Sequence, residues 1–353
     1  MNRSTMLAAG TLLFAILFIW DPVYSQTESA KVNQAYRVMC YNVENLFDTF
    51  DDSTTRDEEF TPEGERHWTN HKFYDKLNKV YKIIMAVGAW EPPAIIGFCE
   101  IENRYVLEKL IYDTPLSKFD YQIIHYESPD RRGIDVGMIY RRELFEPFHQ
   151  QAIAVTFADD MSYKTRDILY VKGLIGDSKI IHLFINHWPS RYGGYLATVS
   201  RRRQAANVLK HCTDSILNVN PNAAIIIMGD FNDDPEDESI SKVIGAKAPG
   251  DTILKNSYYN LSLSPQNNWN FGTLKYRESW NHFDQLMVSG NLLNYTKDLF
   301  IDKTGMQIFH ADFLLEADEK YLGLKPYRTF TGFKYNGGYS DHLPIYFDLI
   351  IAR

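Results

Sequence analysis

Asp230 and Asn232 close an unusual segment, "NAAIIIMGDFNDDP" at 222–235, in which the apolar run 223–228 stops at Gly229 and gives way to acids and an amide. Other apolar runs stop in the same manner. "VMCYN" ends in Asn42, "IIGFCE" in Glu100 and "IHLFINH" in Asn186 and His187, while "GGYSDHLPIYF" opens with Asp341 and His342. Any one of these fits a strand-end cap or turn. Taken together they place oxygens, amides and imidazoles at strand ends, which converge on one edge of a layered α/β protein where ligand sites are built. Asn42, Glu100 and Asp341 offer oxygen donors suited to a hard cation that keeps several waters, magnesium first and manganese or calcium as alternatives. His187 and His342 can each pass a proton or donate to an anionic oxygen. Asp284 interrupts the apolar strand "HFDQLMVS", where a carboxylate is costly unless paired, and His342 is its natural partner. Asp230 and Asn232, two residues apart, share a face of an extended chain, whereas Asp233 and Asp234 read as a solvated turn. This is a kit for metal-assisted phosphoester hydrolysis. No zinc-motif histidine pair, Gly-x-Ser-x-Gly elbow or phosphate-cradling glycine loop occurs.

These residues need a scaffold. The chain has 353 residues, 45% of them hydrophobic and 23% charged, with a net charge of -8. That suits one large globular domain and disfavours nucleic-acid binding by bulk attraction alone. Residues 1–25 read as a secretory signal, with Arg3 ahead of an apolar core too short to span a membrane. The mature domain is then 26–353, expected to be a monomer in the periplasm or the medium, with no stable membrane span. Helices are expected around Leu77–Val87, Tyr105–Ile111, Thr198–Leu217 and Glu236–Ile244. Strands are expected at 121–126, 135–140, 168–175 and 180–186, besides those that end in the residues named above. The acidic segment 48–67 reads as a surface loop. Strands outnumber and intersperse with helices, giving an α/β (α+β) layered domain. Cys40, Cys99 and Cys212 are read as free thiols, because strand parity turns Cys99 away from Glu100 and hence away from Cys40.

With these pieces in place the chain resembles the endonuclease/exonuclease/phosphatase superfamily, which includes pancreatic-type deoxyribonucleases and neutral sphingomyelinases. The motifs are "YNVENL", "CEIEN", "RRGIDVGMIYR", "INHWPSR", "GDFND", "FDQLMVS" and "SDHLP", in the family's order from Met39 to about Phe347. The resemblance implies a four-layer sandwich of two packed mixed sheets flanked by helices, deoxyribonuclease-like, with the site at one edge. It implies that Asn42, Glu100 and Asp341 hold the metal and that Asp284 orients His342 as base or phosphate-binding imidazole. Asp230 would position or deprotonate water, Asn232 would contact a phosphate oxygen, and His187 would serve as acid or phosphate contact. Arg166 would lie near the scissile phosphate, and Asp135 would stand behind His187.

Departures narrow the branch. His187 disfavours the apurinic endonucleases, and "GDFNDD" with "WNHFDQ" disfavours the inositol phosphatases. Arg191, in "HWPSR", is expected beside the site to bind a neighbouring phosphate; one or two of Arg201, Arg202 and Arg203 are expected to face solvent. The expected activity is a secreted, divalent-metal-dependent phosphodiesterase, an endonuclease acting on DNA or RNA. A sphingomyelinase-like enzyme acting on a lipid headgroup or small phosphodiester is the alternative; no membrane-inserting apolar hairpin is evident, and core or rim packing is expected for Trp269 in "NNWNF" rather than a short aromatic tip. A non-catalytic interaction protein on the same fold is the third reading, and the metal and acid–base set argues against it.

Overall fold

A computed structural model of the chain describes residues 33–352 apart from Trp90, 177–178, 265–269 and Lys303. The expected signal segment and Trp269 lie outside the described residues. Among the described residues no helix is long and apolar enough to cross a membrane.

Two sheets carry the fold. The first contains β1 (Gln34–Leu46), β2 (Ile95–Ile101), β3 (Tyr121–His125) and β4 (Asp135–Arg141). Its order runs Leu299–Ile301, Ile345–Ile351, β1, β2, β4, β3, and only the central β1–β2 pair is parallel. The second contains β5 (Phe145–Ile153), β6 (Ile168–Ile175), β7 (Lys179–His187), β8 (Ala224–Asp230) and β9 (Tyr258–Asn260). Its order is β5, β6, β7, β8, Asp284–Ser289, β9, again with one parallel pair, β7–β8. Helices α1 (Asn70–Gly88) and α2 (Arg104–Tyr112) cover the first sheet, and α3 (Tyr195–Val219) covers the second. The expected layered sandwich is the one observed.

The apolar runs explain the layers. Along β8, Ala224, Ile226 and Met228 enter the core between the sheets, while Ile225 and Ile227 enter a second core beneath α3. A strand buried on both faces reads as an unbroken apolar run, because its period of two is hidden when both sides are dry. The alternation still fixes the site. Asp230 continues the row of Ile226 and Met228, His187 that of Leu183 and Ile185, and Asp284 that of Leu286 and Val288, each row lining the core between the sheets. The polar strand ends are therefore the rim of that core.

Two sequence expectations need correction, and a third needs refinement. β5 was not anticipated: it is an edge strand, mostly exposed and carrying Pro147, so it lacks both an apolar run and clean alternation. The stretch 236–244 yields only a single wide helical turn over Ser239–Ile244. The acidic segment 48–67 is the surface loop expected, mostly exposed or half-buried, but it is anchored at three buried residues, Asp48, Asp57 and Phe60. Phe60 stacks on Phe47 at 4.1 Å, Trp68 is fully buried, and Asp57 is buried with it.

Candidate active site

The site is assembled across the seam between the two sheets, and Asp230 is its focus. The register sets Asp230 beside His187 on β7 and opposite Asp284 on the antiparallel neighbour. Its Oδ2 accepts a hydrogen bond from Asn42 Nδ2 at 3.0 Å, reaching across from β1. The same oxygen lies 3.6 Å from His187 Nε2 and 3.7 Å from His342 Nε2. Its Oδ1 accepts from the Asn232 N–H at 2.9 Å. Three side-chain nitrogens thus surround one carboxylate oxygen that is almost wholly buried. Burial raises the Asp230 carboxyl to about 6; the His342 imidazole pulls against that and Asp284 adds to it.

His342 is held from both sheets. Asp284 Oδ2 meets its Nδ1 at 2.6 Å, and its backbone N–H donates to Ser340 Oγ, which itself donates to the Asn42 carbonyl. Thr273 completes the brace, taking the Asp284 N–H on its hydroxyl and the Leu343 N–H on its carbonyl. Burial works against charge on the ring, but Asp284, Asp230 and Asp341 outweigh it and hold His342 well above the usual histidine range. His187 has the opposite character. Burial, then Arg166, Arg132 and His342, press it well below the usual histidine range. Two histidines that share one carboxylate are thereby shifted in opposite directions.

Glu100 enters by a break in strand geometry. In the parallel β1–β2 ladder Asn42 pairs with Cys99, so Cys99 faces the seam and Glu100 ought to face away. A backbone φ of +63° at Glu100 and a register shift at the same point turn its side chain back. Glu100 Oε2 accepts the Asn45 N–H at 2.8 Å, and Oε1 stands 3.9 Å from His187 Nε2. The same register overturns the expectation that the thiols of Cys40 and Cys99 point apart. Both lie on the seam face, and Cys40 is the neighbour that, after burial, raises the Cys99 thiol.

Asp341, next to His342, gives Oδ2 to Arg328 at 2.9 Å. Burial would raise its carboxyl, but Arg328, His342 and Lys76 bring it below the ordinary range. Arg328 also clamps Glu44 through Nε and Nη2 at 3.0 and 2.8 Å, and Glu44 takes the Thr329 N–H. Lys76, fully buried on α1, bonds Thr329 Oγ1 and the Tyr339 carbonyl. Burial lowers its ammonium to about 8, while Glu44, Asp341 and Glu100 resist that shift. Glu44, Lys76 and Arg328 were missed in the sequence. Lys76 had a signal, since it sits on the apolar stripe Phe73, Leu77, Val80, Ile84 of α1, where a lysine is out of place unless paired.

The structure thus brings Asn42, Glu100, His187, Asp230, Asn232, Asp284, Asp341 and His342 to one rim. The two expected phosphate arginines are engaged elsewhere. Arg166 is buried, donating to Asp130 at 3.0 Å and to the Trp188 carbonyl at 2.6 Å. Arg191 donates to the Asn232 carbonyl, Asp233, Asp234 and Asp237. It braces the loop after β8 instead of offering a free guanidinium. Asp233 is not in a solvated turn but fully buried, with Arg202 Nε on its Oδ1 at 2.6 Å and Ser239 on its Oδ2. Long side chains from α3 reach these acids, which local sequence does not reveal. Of the three consecutive arginines only Arg202 is buried; Arg203 is exposed and Arg201 half-buried. Asp135 does not stand behind His187, whose Nδ1 has no partner; it meets His125 instead.

Residues 37–351 match a family model described as Endonuclease/Exonuclease/phosphatase family. Among solved structures, the chain is similar to an endonuclease/exonuclease/phosphatase family protein from Bacteroides thetaiotaomicron, at 14% identity and a TM-score of 0.56, covering 91% of this chain and 97% of that one. The human Nocturnin catalytic domain with bound sulfate is similar at 17% identity and a TM-score of 0.52, covering 90% and 96%. TDP2 of D. rerio complexed with a single-strand DNA product is similar at 15% identity and 0.52, covering 89% and 98%. No curated protein matches the sequence. With a matched span that runs from β1 to the last strand, the chain belongs to the endonuclease/exonuclease/phosphatase family.

Proposed function

We propose that the protein is a secreted, divalent-metal-dependent phosphodiesterase that cleaves nucleic acid. The observation that carries this reading is the convergence of Asn42, His187 and His342 on Asp230 Oδ2, with Asp284 fixing His342 from the facing sheet. Asp230, its carboxyl poised at about 6, takes the proton of the attacking water as its oxygen bonds to phosphorus. His342, its ring fixed by Asp284, passes the Nε2 proton to the leaving oxygen as the bond from phosphorus to that oxygen breaks. His187 and Asn232, whose Nδ2 also donates to the Trp188 carbonyl at 3.1 Å, line the same rim and orient the phosphate.

The donor set suits a hard divalent cation. Glu100 and Asp341 each use one carboxylate oxygen in a hydrogen bond among the described residues and leave the other for a ligand. Asn42 Oδ1 accepts a single bond, from the Glu44 N–H. Glu100, Asp341 and Asn42 would hold the ion, magnesium or manganese, which as a Lewis acid offsets charge on the phosphate.

A groove of about 520 Å³ beside Arg166 and Ser190 favours a polyanionic substrate; Arg131, Arg132, Lys164, Tyr163 and Tyr192 line it. Tyr192 is 93% exposed, a surface on which a base can stack. Plasmid DNA and single-stranded RNA incubated with the mature protein and magnesium or manganese test the reading. Nicking or cleavage that disappears in Glu100→Ala and His342→Ala supports it. Intact nucleic acid with release of phosphocholine from sphingomyelin vesicles transfers the chemistry to a lipid headgroup.

A further inference from the structure

We propose a second metal site, for a first-row divalent transition metal, at the turn between β3 and β4, built from His125, Glu127 and Asp135 and separate from the Glu100–Asp341 rim. One ligand atom from each of the three lies within 4.8 Å of the others. The imidazole side chain is only 2% exposed, with Nε2 3.3 Å from Asp135 Oδ2 but out of line for a hydrogen bond, so this buried nitrogen has no hydrogen-bond partner. Its other nitrogen, Nδ1, lies 3.7 Å from Glu127 Oε1. A buried, unpartnered imidazole nitrogen facing a buried carboxylate is costly for a purely structural pair.

Negative charge is also in excess here. Among the described residues no lysine or arginine forms an ion pair with Glu127, Asp135 or Asp167. Asp167, the residue before β6, joins the cluster from the second sheet, and its buried Oδ1 has no partner. A small cavity of about 10 Å³ adjoins the cluster at Asp135, lined also by Tyr126, Ser128, Val136, Ala152, Asp167 and Leu169. Burial first, and Asp135 beside it, raise the Asp167 carboxyl. One imidazole with carboxylate oxygens suits manganese or zinc better than calcium or magnesium.

The site has a mechanical consequence. Asp130 on the same turn pairs with Arg166, which grips the carbonyl of Trp188, the neighbour of His187. An ion at His125 and Asp135 would pin that turn, and through it the end of β7.

Titration of the mature Glu100→Ala variant with manganese and with zinc, followed by calorimetry and thermal unfolding, tests the proposal. That background removes a donor of the rim site, so the expected result is about one remaining equivalent of tight binding and a rise in Tm. Adding Glu127→Gln, whose side chain is largely exposed and cannot disturb the core, should weaken binding by about 10-fold. Adding His125→Gln should weaken it by about 100-fold, with the circular dichroism spectrum unchanged. Absence of binding in Glu100→Ala, or equal affinity after both added substitutions, overturns the proposal.

Discussion

Asp284 and Asp230 face one another across an antiparallel ladder, yet they hold opposite ends of the same imidazole: Asp284 Oδ2 meets Nδ1 of His342 at 2.6 Å, and Asp230 Oδ2 faces Nε2 at 3.7 Å. The short contact fixes the ring and its proton, and the longer one leaves space at the reactive nitrogen.

Replacing Asp284 by Asn therefore keeps the shape and removes the charge. Turnover of a phosphodiester should fall by roughly 10²–10⁴-fold, mostly in kcat, because the imidazolium is no longer favoured. Steady-state kinetics with pH profiles check this, and the profile's alkaline limb should move to lower pH. An unchanged profile with a raised KM would reassign Asp284 to substrate binding.

Arg202 and Asp233 form an ion pair with no exposure on either side. Asp233→Asn should destabilise the fold by about 3–5 kcal/mol, since a guanidinium is left buried without its countercharge. The double replacement Arg202→Met with Asp233→Asn should cost far less than the sum of Arg202→Met and Asp233→Asn made singly. Urea unfolding of the two singles and the double measures the coupling.

Lys76 offsets three acids around the candidate metal rim. Lys76→Met should lower Tm in chelator, and magnesium should restore more stability to this variant than it adds to the parent, because the cation replaces the lost charge. Thermal melts with and without magnesium decide it; equal shifts in both proteins would show that Lys76 does not share the rim's charge balance.

His182, on β7 at the far side of the second sheet, is lowered to about 4 by burial, with Lys172 adding to the effect. The unfolded chain takes up a proton near pH 6.5 that the folded chain refuses until about pH 4, so stability falls as pH drops through that window and is level above it. The loss approaches about 3 kcal/mol at the acid end. In His182→Phe the urea midpoint should change less between pH 7 and pH 4.5 than in the parent.

Much of this arrangement was legible because a buried strand has no reason to end in a carboxylate. Asn42, His187, Asp230 and Asp284 were found that way, and each continues a row of core side chains. Parity failed where the backbone left the strand region. Cys99 and Glu100 could not be oriented by counting, because the positive φ at Glu100 is invisible in "CEIEN". The arginines failed for a different reason. Arg166, Arg191 and Arg202 have long reach, and the acids that capture them lie 31 to 46 residues away for those paired along the chain with Asp130, Asp233 and Asp237. Motif position located these side chains on the fold without revealing which way their charge was spent.

The seam has one more implication. Asn42 comes from the first sheet and His342 from the turn just before its strand Ile345–Ile351, while Asp230 and Asp284 come from the second, so the Asn42–Asp230 and His342–Asp230 distances also measure how the two sheets are seated. Gly97 makes this concrete: a Cβ there would stand 3.0 Å from both Ile185 and Met228 of the opposing sheet. Slight prying apart of the layers, by Gly97→Ala or by heat, should lower phosphodiester turnover before circular dichroism reports any loss of fold. The reaction centre then works as a gauge of core packing, failing before the structure that supports it.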